Sequence, residues 1–176
     1  MVFMIIIVTG KQGSGKSTVA RQLAAKGLKL IDADRIGHEL LLRPDIKAKL
    51  VKAFSEPIVV DGRIDREKLA AIAFMNEESV KRLNDIVHPV LSEAVNGQIG
   101  GDCVIDAALY YELGLDKLDA ITIDVRRPDS GNRSVFQKAI KKPDHVIEND
   151  GVLEELKQKV DELWKRLQST RGALTP

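Results

Sequence analysis

One stretch, GKQGSGKST at positions 10–18, fixes much of what this 176-residue chain can be. It fits G-x-x-x-x-G-K-[ST], with Gly10, Gly15, Lys16 and Ser17 on the fixed positions, directly behind the apolar run VFMIIIVT. A strand that ends in such a turn and opens a helix is built to receive nucleotide phosphates. Successive backbone N–H groups and the positive end of the helix meet the β-phosphate. Lys16 supplies a point charge for the β- and γ-phosphates, and Ser17 offers its hydroxyl to Mg²⁺. Lys11, Gln12, Gly13, Ser14 and Thr18 complete the loop.

The rest of the chain reads as an α/β nucleotide core with a parallel sheet. A first helix begins near Lys16, carries Val19, Ala20, Leu23 and Ala24 on one face, and is expected to end at Gly27. LKLIDAD is a second strand, so the opening is one right-handed βαβ unit. From Ile36 to about Gly100 the spacing is helical: HELLLR, DIKAKLVKAF, DREKLAAIAF, EESVKRLNDIV and PVLSEAVNGQI, broken by EPIVVDGRID with its Asp-Gly turn signal. CVIDAAL, AITIDV and DHVIEN supply three more strands, for a sheet of five. A closing helix places Leu153, Leu156, Val160, Leu163, Trp164 and Leu167 on one stripe, read as core. RRPDSGNRSVFQKAIKKPD has the composition of a loop. The expected division is a core of 1–35 and 101–176, a helical insert of 36–100, and a short lid segment of 126–142. Ligands of such sheets bind at the carboxyl ends of the strands. The ends here are Thr9, Asp32 with Asp34, Asp106 and Asp124.

Composition narrows the partners. A formal net charge of +1 gives no basic field for nucleic acid. The apolar start lacks basic residues and is too short to span a bilayer, so a soluble, cytoplasmic chain is expected. The single cysteine, Cys103, suits a reducing compartment and reads as a small buried residue opening a strand. His38 and His145 have no metal-ligand spacing and read as ordinary residues.

A GTPase needs more than the loop. DRIG at 34–37 follows too soon to leave room for a switch, and KKPD at 141–144 starts with lysine where guanine readers carry Asn or Thr. A motor would need further domains and paired acids after an aliphatic strand, where CVIDAA supplies one. Transfer to an acceptor remains, with the insert holding the second substrate.

At this point the motifs form a set. VTGKQGSGKSTVA, IDADRIGHELL, DGRIDREKLAAIAF, VHPVL, DAALYYELGLDKLDA, RSVFQ and VIENDG follow one another in the order found in the dephospho-coenzyme A kinases, which the chain closely resembles from residue 2 to about 167. The resemblance implies a kinase that moves the γ-phosphoryl of ATP to the ribose 3′-hydroxyl of dephospho-coenzyme A, with Mg²⁺ carried in by ATP; a monomer is the expectation for the chain. Two departures stand out. Ala107 and Ala108 replace a usual Pro-Leu, and only VRRPDSGNRSVF stands where family members carry a longer arginine-bearing helical lid.

The resemblance also assigns roles. Asp34 is the catalytic base, since a carboxylate can accept the hydroxyl proton and aim the oxygen at the γ-phosphorus; capping a helix that begins at Arg35 is its plainer alternative. Lys16 and Arg133 share the catalytic charge. Gln137 approaches the phosphates, and Asn149 touches the adenine or caps the final helix. Asp32, Asp34, Arg66, His88, Tyr111 and Glu112 face the acceptor. The plainer alternatives are a capping His88, an Arg66 paired with Asp65 or Glu67, and a Tyr111 that only packs. A related small-molecule kinase and a nucleotide-binding module without activity are the competing readings.

Overall fold

The computed structural model describes residues 3–128 and 138–173. In chain order the elements are β1 (Ile5–Gly10), α1 (Lys16–Ala24), β2 (Lys29–Asp32), α2 (Ala33–Leu40) and α3 (Pro44–Phe54), then the short strands β3 (Val59–Val60) and β4 (Arg63–Ile64). α4 (Arg66–Ala73), α5 (Glu77–Asn96), β5 (Cys103–Asp106), β6 (Ile121–Arg126), β7 (His145–Glu148) and α6 (Leu153–Ala173) follow. The chain divides into two compact units, Met1–Asp32 with Ile99–Pro176, and Ala33–Gln98.

In the first unit five parallel strands run in the order β2-β5-β1-β6-β7. Strands covered on both faces read as continuous apolar runs, and Ile6, Ile7, Val8, Val104 and Ile105 are fully buried. Val19, Ala20 and Leu23 of α1 join Leu156, Val160, Leu163 and Leu167 of α6 in one core, with Trp164 packed at its edge. Leu153 departs from the expected stripe at 65% exposure, because it opens α6 one turn before Leu156, the first residue of that helix to reach the core. α1 stops at Ala24 rather than Gly27; the Lys26 and Gly27 amides return to Leu23 and Ala24 in tight three-residue turns. Cys103 is buried as expected, and burial pushes its thiol pKa up, away from reactivity.

The second unit is helical around its own core of Ile46, Leu50, Phe54, Ile58, Leu69 and Ala73. The Asp-Gly signal forms the turn between β3 and β4, with φ of 47° at Asp61 and 75° at Gly62. Two positive φ angles are the type I′ geometry that matches strand twist. α4 starts at Asp65, whose carboxylate accepts from the Lys68 amide at 3.0 Å. α5 starts at Asn76, whose side-chain oxygen accepts from the Ser79 amide at 2.8 Å. The sequence reads two helices separated at Pro89, yet α5 is one helix of 20 residues through it. Proline removes one ladder bond. Burial of Val80 before it and of Leu91 and Val95 after it holds both halves, and α5 packs against α2, α3 and α4. His88 therefore lies inside a helix and does not cap one.

Candidate active site

The phosphate loop sits between β1 and α1, in the middle of the sheet. A turn closes it, with the Ser14 amide donating to the Lys11 carbonyl at 3.1 Å. Gly15 precedes α1 at φ 95°, a left-handed conformation that a side chain would strain. From there the Thr18 and Val19 amides turn back to the Gly15 carbonyl at 3.0 and 3.1 Å. α1 has no side-chain cap and no acid in its first turn, whereas α4 and α5 carry both. Its positive end is thus left for an external anion. Lys16 is 9% exposed and Ser17 is half-buried, while Lys11, Gln12, Gly13 and Thr18 lie at or near the surface.

Acids gather at the carboxyl edge of the sheet. Asp106 ends β5, opposite Val8 of β1 on one side and Asp32 of β2 on the other. Asp124 of β6 lies opposite Thr9. Neighbouring parallel strands stand about 4.8 Å apart, so Asp32 and Asp106 share one short stretch of edge beside the loop. Asp106 is 5% exposed and Asp124 1% exposed. Asp124 is answered by Arg126, whose Nε donates to its carboxylate at 2.9 Å. Arg126 is the last residue of β6 and also the first position of the expected lid segment. Arg133 and Gln137 lie outside the described residues.

Asn149, buried at 8% exposure just after β7, points its side-chain amide at the Ser14 carbonyl at 2.8 Å. It does not cap α6, which begins four residues later. Tyr111 stacks edge-on against Tyr110 with ring centres 4.9 Å apart, and its hydroxyl accepts from the Lys141 amide at 3.4 Å. Both carboxylate oxygens of Glu112 are buried with no hydrogen-bond partner among the described residues. KKPD is structural: Asp144 accepts from the Thr122 amide at 2.8 Å and the Thr122 hydroxyl at 2.7 Å, fastening the start of β6. Those hydrogen bonds hold the Asp144 carboxyl below its usual pKa.

In the second unit Asp34 is exposed in the first turn of α2. The helix starts at Ala33, not Arg35, so Asp34 lies within it and its charge meets the positive helix end. Arg66 opens α4 and is exposed, and His88 is half-buried on α5. Both α2 and α4 pack on α5. The same unit holds an open pocket of about 380 Å³ lined by Leu41, Leu42, Lys47, Gly62 and Arg63, none of them named from the sequence.

Sequence reasoning gives Asp106 no role beyond a strand end, and misses the Asn149–Ser14 and Arg126–Asp124 pairs. The aliphatic run before Asp106 is a local signal for an acid beside the phosphate strand. The Arg126–Asp124 pair does leave a local signal, opposite charges two apart on one strand and so on one face, whereas Asn149 leaves none because its partner lies 135 positions away.

Comparison with known proteins agrees with the geometry. The profile of the dephospho-CoA kinase family matches residues 4–131. The dephospho-CoA kinase of Fusobacterium nucleatum subsp. nucleatum is 34% identical, over 92% of this chain and 97% of that protein. That comparison spans 187 residues, more than the whole 176 of this chain, so the relative carries residues with no counterpart here. The crystal structure of TT1252 from Thermus thermophilus superposes over the full length of both chains, with a TM-score of 0.70 and 28% identity. The dephospho-CoA kinase from Campylobacter jejuni shares the fold at a TM-score of 0.64 and 21% identity, over 92% of this chain and 96% of that one. Among the described residues no helix is long and apolar enough to cross a membrane. With its loop, its sheet and its matched length taken together, the chain belongs to the dephospho-CoA kinase family.

Proposed function

We propose that this ATP-dependent kinase transfers the γ-phosphoryl of ATP to the ribose 3′-hydroxyl of dephospho-coenzyme A, giving coenzyme A and ADP. The observation that carries the reading is the uncapped, acid-free start of α1 behind a complete phosphate loop, in a chain of this family. The triphosphate lies on the loop, with Lys16 against the β- and γ-phosphates, where a fixed cation stabilises the charge that builds up in transfer. The ribose hydroxyl is a poor nucleophile, and Asp34 accepts its proton as the oxygen attacks. Arg66, His88, Tyr111, Glu112 and Asp32 hold the acceptor.

The residues present suit Mg²⁺. It favours hard oxygen ligands and keeps most of its water, and the Ser17 hydroxyl with the Asp106 carboxylate are such ligands beside the loop. Among the described residues no group of three His, Cys, Asp or Glu side chains gathers to hold a metal. When bound, the ion neutralises charge on the β- and γ-oxygens.

The test is ADP release with ATP and a panel of hydroxyl acceptors. Release that depends on dephospho-coenzyme A supports the reading. Release with another acceptor alone would assign a related kinase, and no release with any acceptor would leave a nucleotide-binding module.

A further inference from the structure

We propose that Asn149 is a positioning residue that sets the shape of the phosphate loop, so that triphosphate binding depends on it through Ser14. The inference rests on the reading of that loop as the triphosphate site. Asn149 stands 135 residues from Ser14 in sequence, yet its amide donates to the Ser14 carbonyl at 2.8 Å in a buried contact. Ser14 is 0% exposed, so in the native chain its carbonyl is shielded from solvent. The amide also lies against Gly15, one of the loop's tight points. A Cβ built on Gly15 would come 2.5 Å from Asn149 Nδ2, so the asparagine fills the space that the glycine leaves. Gly15 is held at φ 95°, and its neighbour Lys16 begins α1.

Asn149 is itself held rigidly enough to act as a support. Its own amide donates to the Arg126 carbonyl at 2.7 Å. Arg126 is in turn tied to buried Asp124 at 2.9 Å. On either side, Lys159 of α6 donates to the Glu148 carbonyl at 2.6 Å and to the Asp150 carboxylate at 2.7 Å. Three elements of the first unit, β6, β7 and α6, thus converge on one amide that grips the loop. A loop of backbone N–H donors binds an anion well only when its peptides already point inward, because reordering them on binding subtracts from affinity. A support that fixes the Ser14 peptide before the ligand arrives removes that cost. Leaving the Ser14 carbonyl buried and unanswered is worth about tenfold in the ligand-competent population.

The experiment uses the full chain as Asn149→Leu, of similar size but without a donor, and as Asn149→Ala, which any packing accommodates. ATP, inorganic tripolyphosphate and dephospho-coenzyme A are titrated calorimetrically with Mg²⁺ present, and thermal midpoints are recorded. The expected result is a loss of about tenfold for ATP and for tripolyphosphate in equal proportion, with the affinity for dephospho-coenzyme A unchanged. A merely structural asparagine would lower the midpoint and weaken both substrates together, which overturns the proposal. A loss for ATP with native tripolyphosphate affinity would show that the amide reads the base, and overturns it too. Native affinity for both phosphate ligands in either variant would make the contact idle. Failure of the unaltered protein to bind ATP or tripolyphosphate would instead sink the triphosphate reading of the loop, and this inference with it.

Discussion

Replacing Asp34 by asparagine separates chemistry from folding, because the carboxylate is exposed while the role proposed for it is central. Asp34 lies in the first turn of α2, where a negative charge gains from the positive helix end. That gain is at most about 1 kcal/mol and is weakened by solvent. For a chain of this size such a loss lowers the thermal midpoint by about 2–4 °C. A positioned base, by contrast, contributes about 10²–10⁴ to the rate, which is about 2.7–5.5 kcal/mol of barrier. The two effects differ enough to be read separately. Turnover is measured by coupled ADP release at saturating ATP and dephospho-coenzyme A, and the midpoint by differential scanning fluorimetry. We expect turnover to fall at least a hundredfold, with ATP affinity kept and the midpoint nearly unmoved. A fall of less than tenfold in a folded variant that still binds acceptor would refute the reasoning and transfer the role to Asp32.

Further expectations concern charge, core and helix. Lys16→Ala should keep the fold and lower turnover by about 10²–10³, the loss seen when one fixed donor to developing charge is removed; native turnover in circular-dichroism-verified protein would rule the assignment out. The Asp144 carboxyl is held below 3.8 first by its Thr122 hydrogen bonds, so its stabilising contribution is present above that value and disappears as pH falls through the lower folded value. Asp144→Asn should therefore lower the midpoint at pH 7 and approach the native midpoint in strong acid, as followed by thermal melts from pH 7 to pH 2; a gap independent of pH would contradict this. Leu50, fully buried in the second unit, should cost about 2–5 kcal/mol when cut to alanine, measured by urea unfolding. Pro89→Ala should raise stability by about 1–3 kcal/mol in the same assay, since it restores a ladder donor inside α5; a loss would show that the proline shapes the helix.

What the sequence reveals follows the range of the forces involved. The three central strands, β5, β1 and β6, announce themselves as mostly apolar runs because strands covered on both faces bury most of their side chains. The phosphate loop and the Asp61-Gly62 turn are legible because backbone geometry demands glycine within a few residues. Pro89 misleads, since a local rule says stop while packing of α5 on three helices says continue. Leu153 misleads in the opposite sense: it keeps the helical period but opens its helix short of the core. Asp106 carries a local signal in the aliphatic run before it, and the strand order β2-β5-β1 adds its place opposite Asp32. Asn149 is visible as a motif residue, but its grip on Ser14 joins opposite ends of the chain and could be found only in three dimensions.

The most direct measurement is the identity of the phosphorylated product. The chain is incubated with ATP, Mg²⁺ and dephospho-coenzyme A, and the acceptor is recovered for mass spectrometry and phosphorus NMR. The expected product is dephospho-coenzyme A heavier by one phosphoryl group, esterified at the ribose 3′-oxygen, with one ADP formed for each molecule. An unmodified acceptor beside accumulating ADP, or a phosphoryl group on any other oxygen, would contradict the account.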